Sequence, residues 1–333
     1  MTDLLKNDEK LAHRETALEP DLAIIDPHHH LWTTQAHSMA TYYPAEQLIT
    51  DTREGGHNVV ATVFLECTSH YRTTGPAELL PVGETEFVVA QDVPAGLMAG
   101  IVGYADVRLG AGVGEVLEAH REAGGERFKG IRYSTAWDAS PEVTNTARDA
   151  PPGTLVTPAF MRGVQEVGDH GFVFETWEYF HQLGEVLELS RATPNTQIIV
   201  DHLGGPAGVG PYADHREEML EHWRSGMSAL AGQENIVVKL GGIGFSPYIQ
   251  PQKADSLTSS DAIAEYWGPE IRFCVETFGA DRCMFESNYP VDSSLCDYVT
   301  LWNSFKRMTV DYSPAERESL FAGTARRVYS LEF

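Results

Sequence analysis

The sequence predicts an α/β fold, namely a (β/α)8 barrel of the TIM type. Eight short apolar runs, several of them rich in β-branched residues, alternate with stretches of helical periodicity along the 333 residues. Such runs are typical of strands buried on both faces of a parallel sheet, and a chain of this length is sufficient for one barrel. A doubly wound open sheet is the alternative. No G-x-G-x-x-G motif follows the first run, which favours the barrel.

The predicted strands share an apolar body and, in most cases, polar residues at or just beyond the C-terminal end. They cover Leu22–Asp26, Val59–Glu66, Leu97–Asp106, Phe128–Tyr133, Phe172–Thr176, Gln197–His202, Ile236–Leu240 and Arg282–Glu286. In a barrel these ends meet at one mouth, where the active site lies. Ionisable side chains there are costly unless they are paired or used. We therefore expect a convergent set at the mouth, consisting of His28, Glu66, Asp106, Arg132, Glu175, His202, Lys239 and Asn288.

Segments between and after the strands have apolar residues at the three- and four-residue spacing of helices. Predicted helices cover Val113–Ala123, 158–169, Leu183–Ala192, Ala213–Ala231, Ile263–Phe278, Leu301–Met308 and 314–329. Ser313 is the expected N-cap of the last helix, because Pro314 and Glu316 follow it. The stretches 67–95 and 134–156 are predicted to be long functional loops. Residues 1–20 are expected to form a polar, loosely attached arm, and residues 21–333 a single barrel domain.

The composition indicates a globular protein, and the cytoplasm is its expected location. A net charge of −24 argues against nucleic acid as a partner, because its phosphates require clustered Lys and Arg. The 4 cysteines include no C-x-x-C pair, as expected for buried thiols in a reducing compartment. The N-terminus lacks the pattern of a signal peptide, and no run reaches 18 apolar residues, so we expect no membrane partner. A homo-oligomer is compatible with these features.

One histidine motif follows the first apolar run, where the chain reads Asp26-Pro27-His28-His29-His30-Leu31-Trp32. Side chains of a strand alternate between its two faces, so His28 and His30 are expected to point to the same side. Imidazole is a ligand for zinc, iron, nickel and copper. The pair therefore predicts a site for one metal ion or one substrate oxygen. An incidental histidine cluster on a surface loop is the alternative, which the flanking apolar residues disfavour.

Further candidates follow the later strands. His202 ends the sixth predicted strand and precedes a Gly204-Gly205-Pro206 turn, which positions it as a metal ligand or a general base. Cationic side chains can hold a substrate carboxylate, and a guanidinium does so in bidentate fashion. The residues expected to bind substrate are Arg132, Lys129, Lys239, Glu66 and Trp177. For Trp177, packing in the core is the alternative to stacking on a substrate.

Several motifs occur together and in a fixed order. They are the D-P-H-H-H-L-W motif, Lys129–Arg132, Val200–Gly204, Val238–Gly242, Phe285–Pro290 and Phe321–Ala325. This set resembles the amidohydrolase-2 group of the amidohydrolase superfamily, in particular its lactonase-like branch. The resemblance covers residues 22–331. The first motif is fairly specific for the group, and the ordered set is much more so.

The resemblance implies a TIM-type barrel in which His28 and His30 form the first-strand pair and His202 is the histidine of the sixth strand. Some members of the group hold one divalent metal ion; for this chain Zn²⁺ is the expected ion and these three histidines are its expected ligands. Some lactonases of the group work without a metal. Activities of the group include hydrolysis of sugar lactones and of lactones from aromatic degradation, with decarboxylases as more distant relatives.

One position departs from the pattern of the group. Metal-dependent members carry an aspartate on the eighth strand, usually in S-D-x-P, where this chain has Asn288. An amide is not a general base, and it is a poorer metal ligand than a carboxylate. Either another acid replaces the aspartate in catalysis, or the chemistry differs from that of the metal-dependent members. Glu286 and Asp292 are the main candidates, with Glu175 and Glu66 as further ones.

The resemblance, together with these residues, implies a hydrolase that opens a lactone by attack of water on the ring carbonyl. The substrate is expected to be small, and either to carry a carboxylate or to derive from a sugar. Such a reaction requires positive charge at the developing oxyanion and a base for the water proton. Two alternatives remain, a metal-dependent decarboxylase of an aromatic or unsaturated acid and an inactive barrel that binds a ligand. Asn288 is the argument for the inactive barrel, and release of CO₂ distinguishes the decarboxylase.

Overall fold

A computed structural model describes residues 15–33 and 42–332 of the chain. Eight parallel strands form one sheet, in which the strands follow the order of the sequence. An α-helix lies between each strand and the next, so the predicted (β/α)8 barrel is confirmed. The strands are β1 (Ala23–His29), β2 (Asn58–Leu65), β3 (Gly100–Gly103), β4 (Phe128–Arg132), β5 (Val173–Thr176), β6 (Ile198–Val200), β7 (Ile236–Leu240) and β8 (Cys283–Phe285).

The first strand and the residues after the last strand close the barrel. The amide of His30 donates a hydrogen bond to the carbonyl of Tyr289 at 2.7 Å. The buried carboxylate of Asp26 accepts from the amide of Ser287 at 3.0 Å and from its hydroxyl at 2.6 Å. These contacts hold the histidine motif next to the C-terminal end of β8.

Helices cover the outside of the barrel. They are α1 (Ala45–Glu54), α2 (Val82–Val89), α3 (Val113–Gly124), α4 (Pro158–Asp169), α5 (Leu183–Ala192), α6 (Arg216–Ala231), α7 (Pro251–Ala254), α8 (Ser260–Phe278), α9 (Tyr298–Met308), α10 (Pro314–Glu318) and α11 (Thr324–Val328). A π-helical segment, Ser319–Gly323, joins the last two. Each predicted helix has a counterpart, and the last one contains this π-helical interruption.

The sequence does not predict α1 or α2. Each begins after a proline, Pro44 or Pro81, that makes no side-chain capping hydrogen bond, so the usual N-cap signal is absent. Because α2 falls within 67–95, that stretch is not a continuous loop. The stretch 134–156 contains no helix or strand, as predicted. Ser313 caps α10 as predicted, and Glu316 completes a capping box.

Two apolar clusters form the core. The larger one lies between the strands and the surrounding helices. The smaller one fills the barrel interior, where inward-facing strand residues meet side chains of the C-terminal segment, namely Ala322, Ala325, Tyr329 and Leu331. The C-terminal segment therefore closes one end of the barrel. The polar strand ends lie at the other end.

The described part of the N-terminal arm is fastened to the barrel. Glu15 accepts hydrogen bonds from the hydroxyl of Ser260 at 2.6 Å and from the amide of Asn303 at 2.9 Å. Residues 15–20 are thus not loosely attached, while 1–14 lie outside the described residues. All four cysteines are buried, as expected. In the part of the chain that the structure describes, no helix has the length and apolar character needed to cross a bilayer.

Candidate active site

A cavity of about 150 Å³ opens at the C-terminal ends of the strands, where barrel enzymes have their active sites. Its wall combines aromatic rings with charged and polar groups. Six residues predicted for the site meet there, namely His30, Glu66, Arg132, Trp177, His202 and Asn288. The rest of the lining consists of Trp32, Cys67, Thr68, Ser134, Thr146, Ala147, Arg148, Phe245 and Val291.

A layer of buried ionisable side chains lies between this cavity and the apolar interior of the barrel. We call it the charged layer. Charges in such a place are stable only when they are paired with one another. Its members come from β1, from β4 and β5, from β7 and from the residues that follow β6 and β8. They are His28, Arg132, Glu175, Asp201, Lys239 and Glu286.

His28 is at the centre of the charged layer. Its Nε2 lies 3.2 Å from Nη1 of Arg132, and because a guanidinium only donates, Nε2 is the accepting nitrogen. A neutral ring then carries its hydrogen on Nδ1, which lies 2.7 Å from Oε2 of Glu286 and 3.2 Å from Nζ of Lys239. Burial, together with the Lys239 ammonium, lowers the pKa of His28 well below its usual value. The ring is therefore neutral.

The other two histidines of the motif have different surroundings. Nδ1 of His30 lies 2.9 Å from the carbonyl of Leu65, so this nitrogen carries the hydrogen and donates it. His30 is then left with Nε2 as an acceptor. The ring centroids of His28 and His30 are 5.0 Å apart. His29 instead makes a 2.9 Å hydrogen bond to Thr62 and does not line the cavity.

His202 and Glu286 form a hydrogen-bonded pair. Nδ1 of His202 lies 2.6 Å from Oε1 of Glu286, and the His202 amide donates to the same oxygen at 3.2 Å. Burial raises the pKa of Glu286 to about 8, although the Lys239 ammonium acts in the opposite direction. Burial lowers the pKa of His202 to about 3. When the pair holds one proton on Nδ1, Nε2 of His202 is free to accept another.

Two glycines after β7 make room for this pair. A Cβ on Gly241 would lie 2.2 Å from Cγ of Glu286, and one on Gly242 would lie 2.6 Å from Cγ of His202. Gly242 has a φ of +65°, and His202 itself has a φ of +51°. Such backbone angles suit glycine and are strained for a histidine. The double glycine of the Val238–Gly242 motif is thus explained by the close approach of the two side chains.

Arg132 is held by acidic groups of the protein. Its Nε donates to Oε1 of Glu66 at 3.0 Å, another of its nitrogens donates to the Glu66 carbonyl, and Nη1 lies 3.8 Å from Asp201. Glu66 also pairs with Arg148, whose Cζ lies 3.4 Å from the ring centroid of Tyr104. Two guanidinium groups in the cavity wall therefore share the carboxylate of Glu66.

Lys239 lies beneath the cavity and does not line it. Its Nζ donates to Oε2 of Glu175 at 2.5 Å and lies 3.6 Å from Oδ1 of Asp201. Burial opposes the charge, but these carboxylates outweigh it and raise the pKa of Lys239. The ammonium is thus a fixed buried charge, and the predicted contact of Lys239 with substrate stays a prediction.

Asn288 and Asp292 are bonded to each other. Nδ2 of Asn288 donates to Oδ1 of Asp292 at 2.9 Å, and the amide of Gly244 donates to Oδ2 at 2.9 Å. Asp292 is fully buried and does not line the cavity, so it anchors two loops. Asn288 lines the cavity with a φ of +52°. Of the two candidate bases, Glu286 is the one in contact with His202.

Lys129 and Asp106 belong neither to the cavity wall nor to the charged layer. Nζ of Lys129 donates to the carbonyl of Ser330 at 3.1 Å, beside the C-terminal segment that closes the opposite end of the barrel. The structure corrects the predicted role of Lys129, because the residue precedes Arg132 by three positions and does not reach the cavity. Asp106 pairs with Arg108 at 2.9 Å and not with the charged layer.

Sequence reasoning did not identify Arg148 and Trp32 as site residues. Arg148 lies in the second long loop, where no motif distinguishes it from other arginines. Trp32 belongs to the first motif, next to residues that the sequence did indicate, so its position in the sequence was the available signal.

The charged layer contains donor groups for a metal ion. Ligand atoms of His28, His202 and Glu286 all lie within 4.8 Å of one another. Among the described residues, the two carboxylate oxygens of Asp201 accept no hydrogen bond, although the cationic nitrogens of Arg132 and Lys239 lie 3.8 and 3.6 Å from them. The donor set fits one divalent cation when a ring nitrogen of His28 carries no hydrogen and faces the ion. His30 is not part of this group, so the set of three histidines stays a prediction.

Comparisons with known proteins point to one family. The family model described as Amidohydrolase matches residues 25–331. The uncharacterized protein y4mH of Sinorhizobium fredii is 31% identical over 333 residues, which covers 93% of this chain and 99% of that protein. An L-fucono-1,5-lactonase of Burkholderia multivorans is 26% identical and covers 74% of this chain and 77% of its own.

Solved structures share the barrel. The crystal structure of an amidohydrolase from Burkholderia multivorans with bound zinc has a TM-score of 0.71 and 22% identity, covering 93% of this chain and 100% of that chain. Identity at this level shows the fold alone. The family model, by contrast, extends from β1 to the C-terminal segment. The chain therefore belongs to the amidohydrolase family and is a hydrolase.

Proposed function

We propose that the protein is a lactonase that hydrolyses a small, sugar-derived lactone. The observation that carries this proposal is the His202–Glu286 pair, which opens onto a cavity of about 150 Å³. Trp32 and Trp177 provide flat apolar surfaces in the wall, suited to one face of a small ring. Relatives named L-fucono-1,5-lactonase and L-rhamnono-gamma-lactonase, at 24 to 27% identity, support a sugar lactone as substrate.

In this proposal the pair of His202 and Glu286 provides the general base. Nδ1 of His202 donates to the glutamate, so Nε2 accepts a proton from water as the oxygen attacks the lactone carbonyl. The carboxylate then stabilises the imidazolium that forms. When the tetrahedral intermediate collapses, the same imidazolium returns the proton to the leaving ring oxygen, and the product is a hydroxy acid.

The oxyanion is stabilised by the positive charge of the cavity wall. Arg132 and Arg148 share one carboxylate, that of Glu66, so the three groups together leave an excess of one positive charge. In a cavity with little water, such a fixed charge acts strongly on a developing negative charge. The same charge favours the carboxylate of the product.

The cofactor in this proposal is a divalent metal ion, specifically Zn²⁺. His28, His202 and Glu286 would hold it, and His202 would then be a ligand and no longer the acceptor of the water proton. When bound, such an ion polarises a carbonyl and acidifies water. Arg132 donates to Nε2 of His28 at 3.2 Å and restrains the orientation of the ring.

A substrate screen tests the proposed function. Acid release from L-fucono-1,5-lactone, L-rhamnono-γ-lactone and related sugar lactones is followed with a pH indicator. We expect kcat/KM of about 10⁴ M⁻¹s⁻¹ or more for at least one of them, the ordinary range for enzymes on their substrates. The variant His202→Gln is the control for contaminating lactonases. Release of CO₂ from aromatic acids would instead support a decarboxylase, and binding without turnover an inactive barrel.

Metal analysis tests the proposed cofactor. Protein purified without chelator should contain about one divalent ion per chain, and its removal should lower turnover by about tenfold or more, with recovery on addition of Zn²⁺. The variant His28→Asn should lose the ion. Asp106→Asn should keep it, because that carboxylate pairs with Arg108 outside the charged layer. Full activity of metal-free protein in the presence of chelator would refute the assignment.

A further inference from the structure

A tyrosine of the C-terminal segment enters the charged layer from the closed end of the barrel. Tyr329 follows α11, is 1% exposed, and packs with the apolar residues of the barrel interior. Its hydroxyl donates a hydrogen bond to Oε1 of Glu175 at 2.6 Å. Burial and the Glu175 carboxylate raise the pKa of Tyr329 well above its usual value, so the hydroxyl remains a donor.

Glu175 connects this tyrosine to the lysine beneath the site. Its other oxygen, Oε2, accepts from Nζ of Lys239 at 2.5 Å. The same Nζ lies 5.7 Å from the ring centroid of Tyr329, within the range of a cation–π contact, and 3.2 Å from Nδ1 of His28. A continuous series of contacts therefore joins the C-terminal segment to the first histidine of the motif.

A lysine needs such support more than an arginine does. Its ammonium is a compact charge on a flexible stem of four carbons, so the position of the charge depends on the groups around it. Glu175 is the hydrogen-bonded partner of the Lys239 ammonium, and Tyr329 fixes the far oxygen of that carboxylate. Loss of the phenol hydroxyl would leave Oε1 of Glu175 without this donor in a buried layer. The carboxylate would then be less well ordered, and the protein less stable.

We propose that Tyr329 is a positioning residue, which acts through Glu175 to hold the Lys239 ammonium in place beneath the reacting groups. The proposal rests on the proposed lactonase function where turnover is concerned. Tyr329 does not line the cavity, so its removal should change turnover and not substrate affinity. Small displacements of a charge near the reacting groups are costly, because catalysis depends on fixed geometry.

Kinetics of Tyr329→Phe provide the first test. We expect kcat to fall roughly tenfold with KM within about twofold of the parent. In the background of Glu175→Gln, Tyr329→Phe should have no further effect on kcat, because the carboxylate through which Tyr329 acts on Lys239 is already removed. Tyr43→Phe is the matched control, since that buried hydroxyl also donates to a carboxylate, Asp51, at 2.8 Å. Its kcat should stay at the parent value.

A spectroscopic test does not depend on any substrate. The ammonium signal of a buried lysine is followed by ¹H–¹⁵N NMR and assigned by its absence in Lys239→Met. We expect Tyr329→Phe to shift or broaden this signal and Tyr43→Phe to leave it unchanged. If no lactone is hydrolysed by the parent, the proposed function fails, and the NMR result alone decides on Tyr329. A lowered melting temperature with an unchanged Lys239 signal and unchanged kcat would overturn the proposal.

Discussion

Glu286→Gln is expected to lower kcat by about 100-fold or more while the protein remains folded. The glutamine carbonyl can still accept the Nδ1 hydrogen of His202, so the ring keeps its orientation. The amide lacks the negative charge that stabilises the imidazolium in the transition state. KM should change little, because Glu286 is fully buried and does not line the cavity. Steady-state kinetics on the preferred lactone measure both parameters.

Asp292→Asn is the matched control for this substitution. Asp292 is another fully buried carboxylate after β8, but it accepts hydrogen bonds from Gly244 and Asn288 and not from a histidine. Its kcat should stay within about threefold of the parent, and thermal unfolding shows whether either variant has lost its fold. An active Glu286→Gln together with an inactive Asp292→Asn would assign the base to Asp292.

Strand periodicity was sufficient to predict which residues of the first motif belong together. His28 and His30 lie on one side as expected, because the side chains of a strand alternate. Their hydrogen-bond partners could not be predicted. The hydrogen position on His30 depends on the carbonyl of Leu65, and that on His28 depends on Arg132, which is 104 residues away in the sequence.

Loop residues were the hardest to predict. Arg148 reaches Glu66 from a stretch without helix or strand, where spacing carries no information about direction. Asp292 was a candidate because it is an acid close to β8, yet Gly244 and Asn288 occupy its oxygens. Within strands, the main error concerned how far along the strand a side chain lies. Lys129 belongs to the predicted β4, but it lies too near the start of the strand to reach the mouth.

Arg132→Met is expected to lower the free energy of unfolding by about 3–5 kcal/mol. The sequence predicts this arginine as an anchor for a substrate carboxylate, whereas the structure surrounds it with Glu66, His28 and Asp201. Methionine keeps much of the side-chain volume but removes the charge. The carboxylates of Glu66 and Asp201 would then remain buried with one cation fewer, which is more costly than the loss of the contacts themselves. Denaturation with urea measures the difference.

Arg72→Met separates the effect of burial from that of charge. Arg72 also pairs with a glutamate, Glu86, through two hydrogen bonds, but the two side chains are 34% and 48% exposed. Exposed ion pairs contribute about 0–1 kcal/mol, so this variant should lose less than about 1 kcal/mol. Suppose instead that Arg132→Met is as stable as Arg72→Met, and that its KM rises only for lactones that carry a carboxylate. Arg132 would then be a substrate anchor, and its contacts with Glu66 and Asp201 would contribute little to the fold.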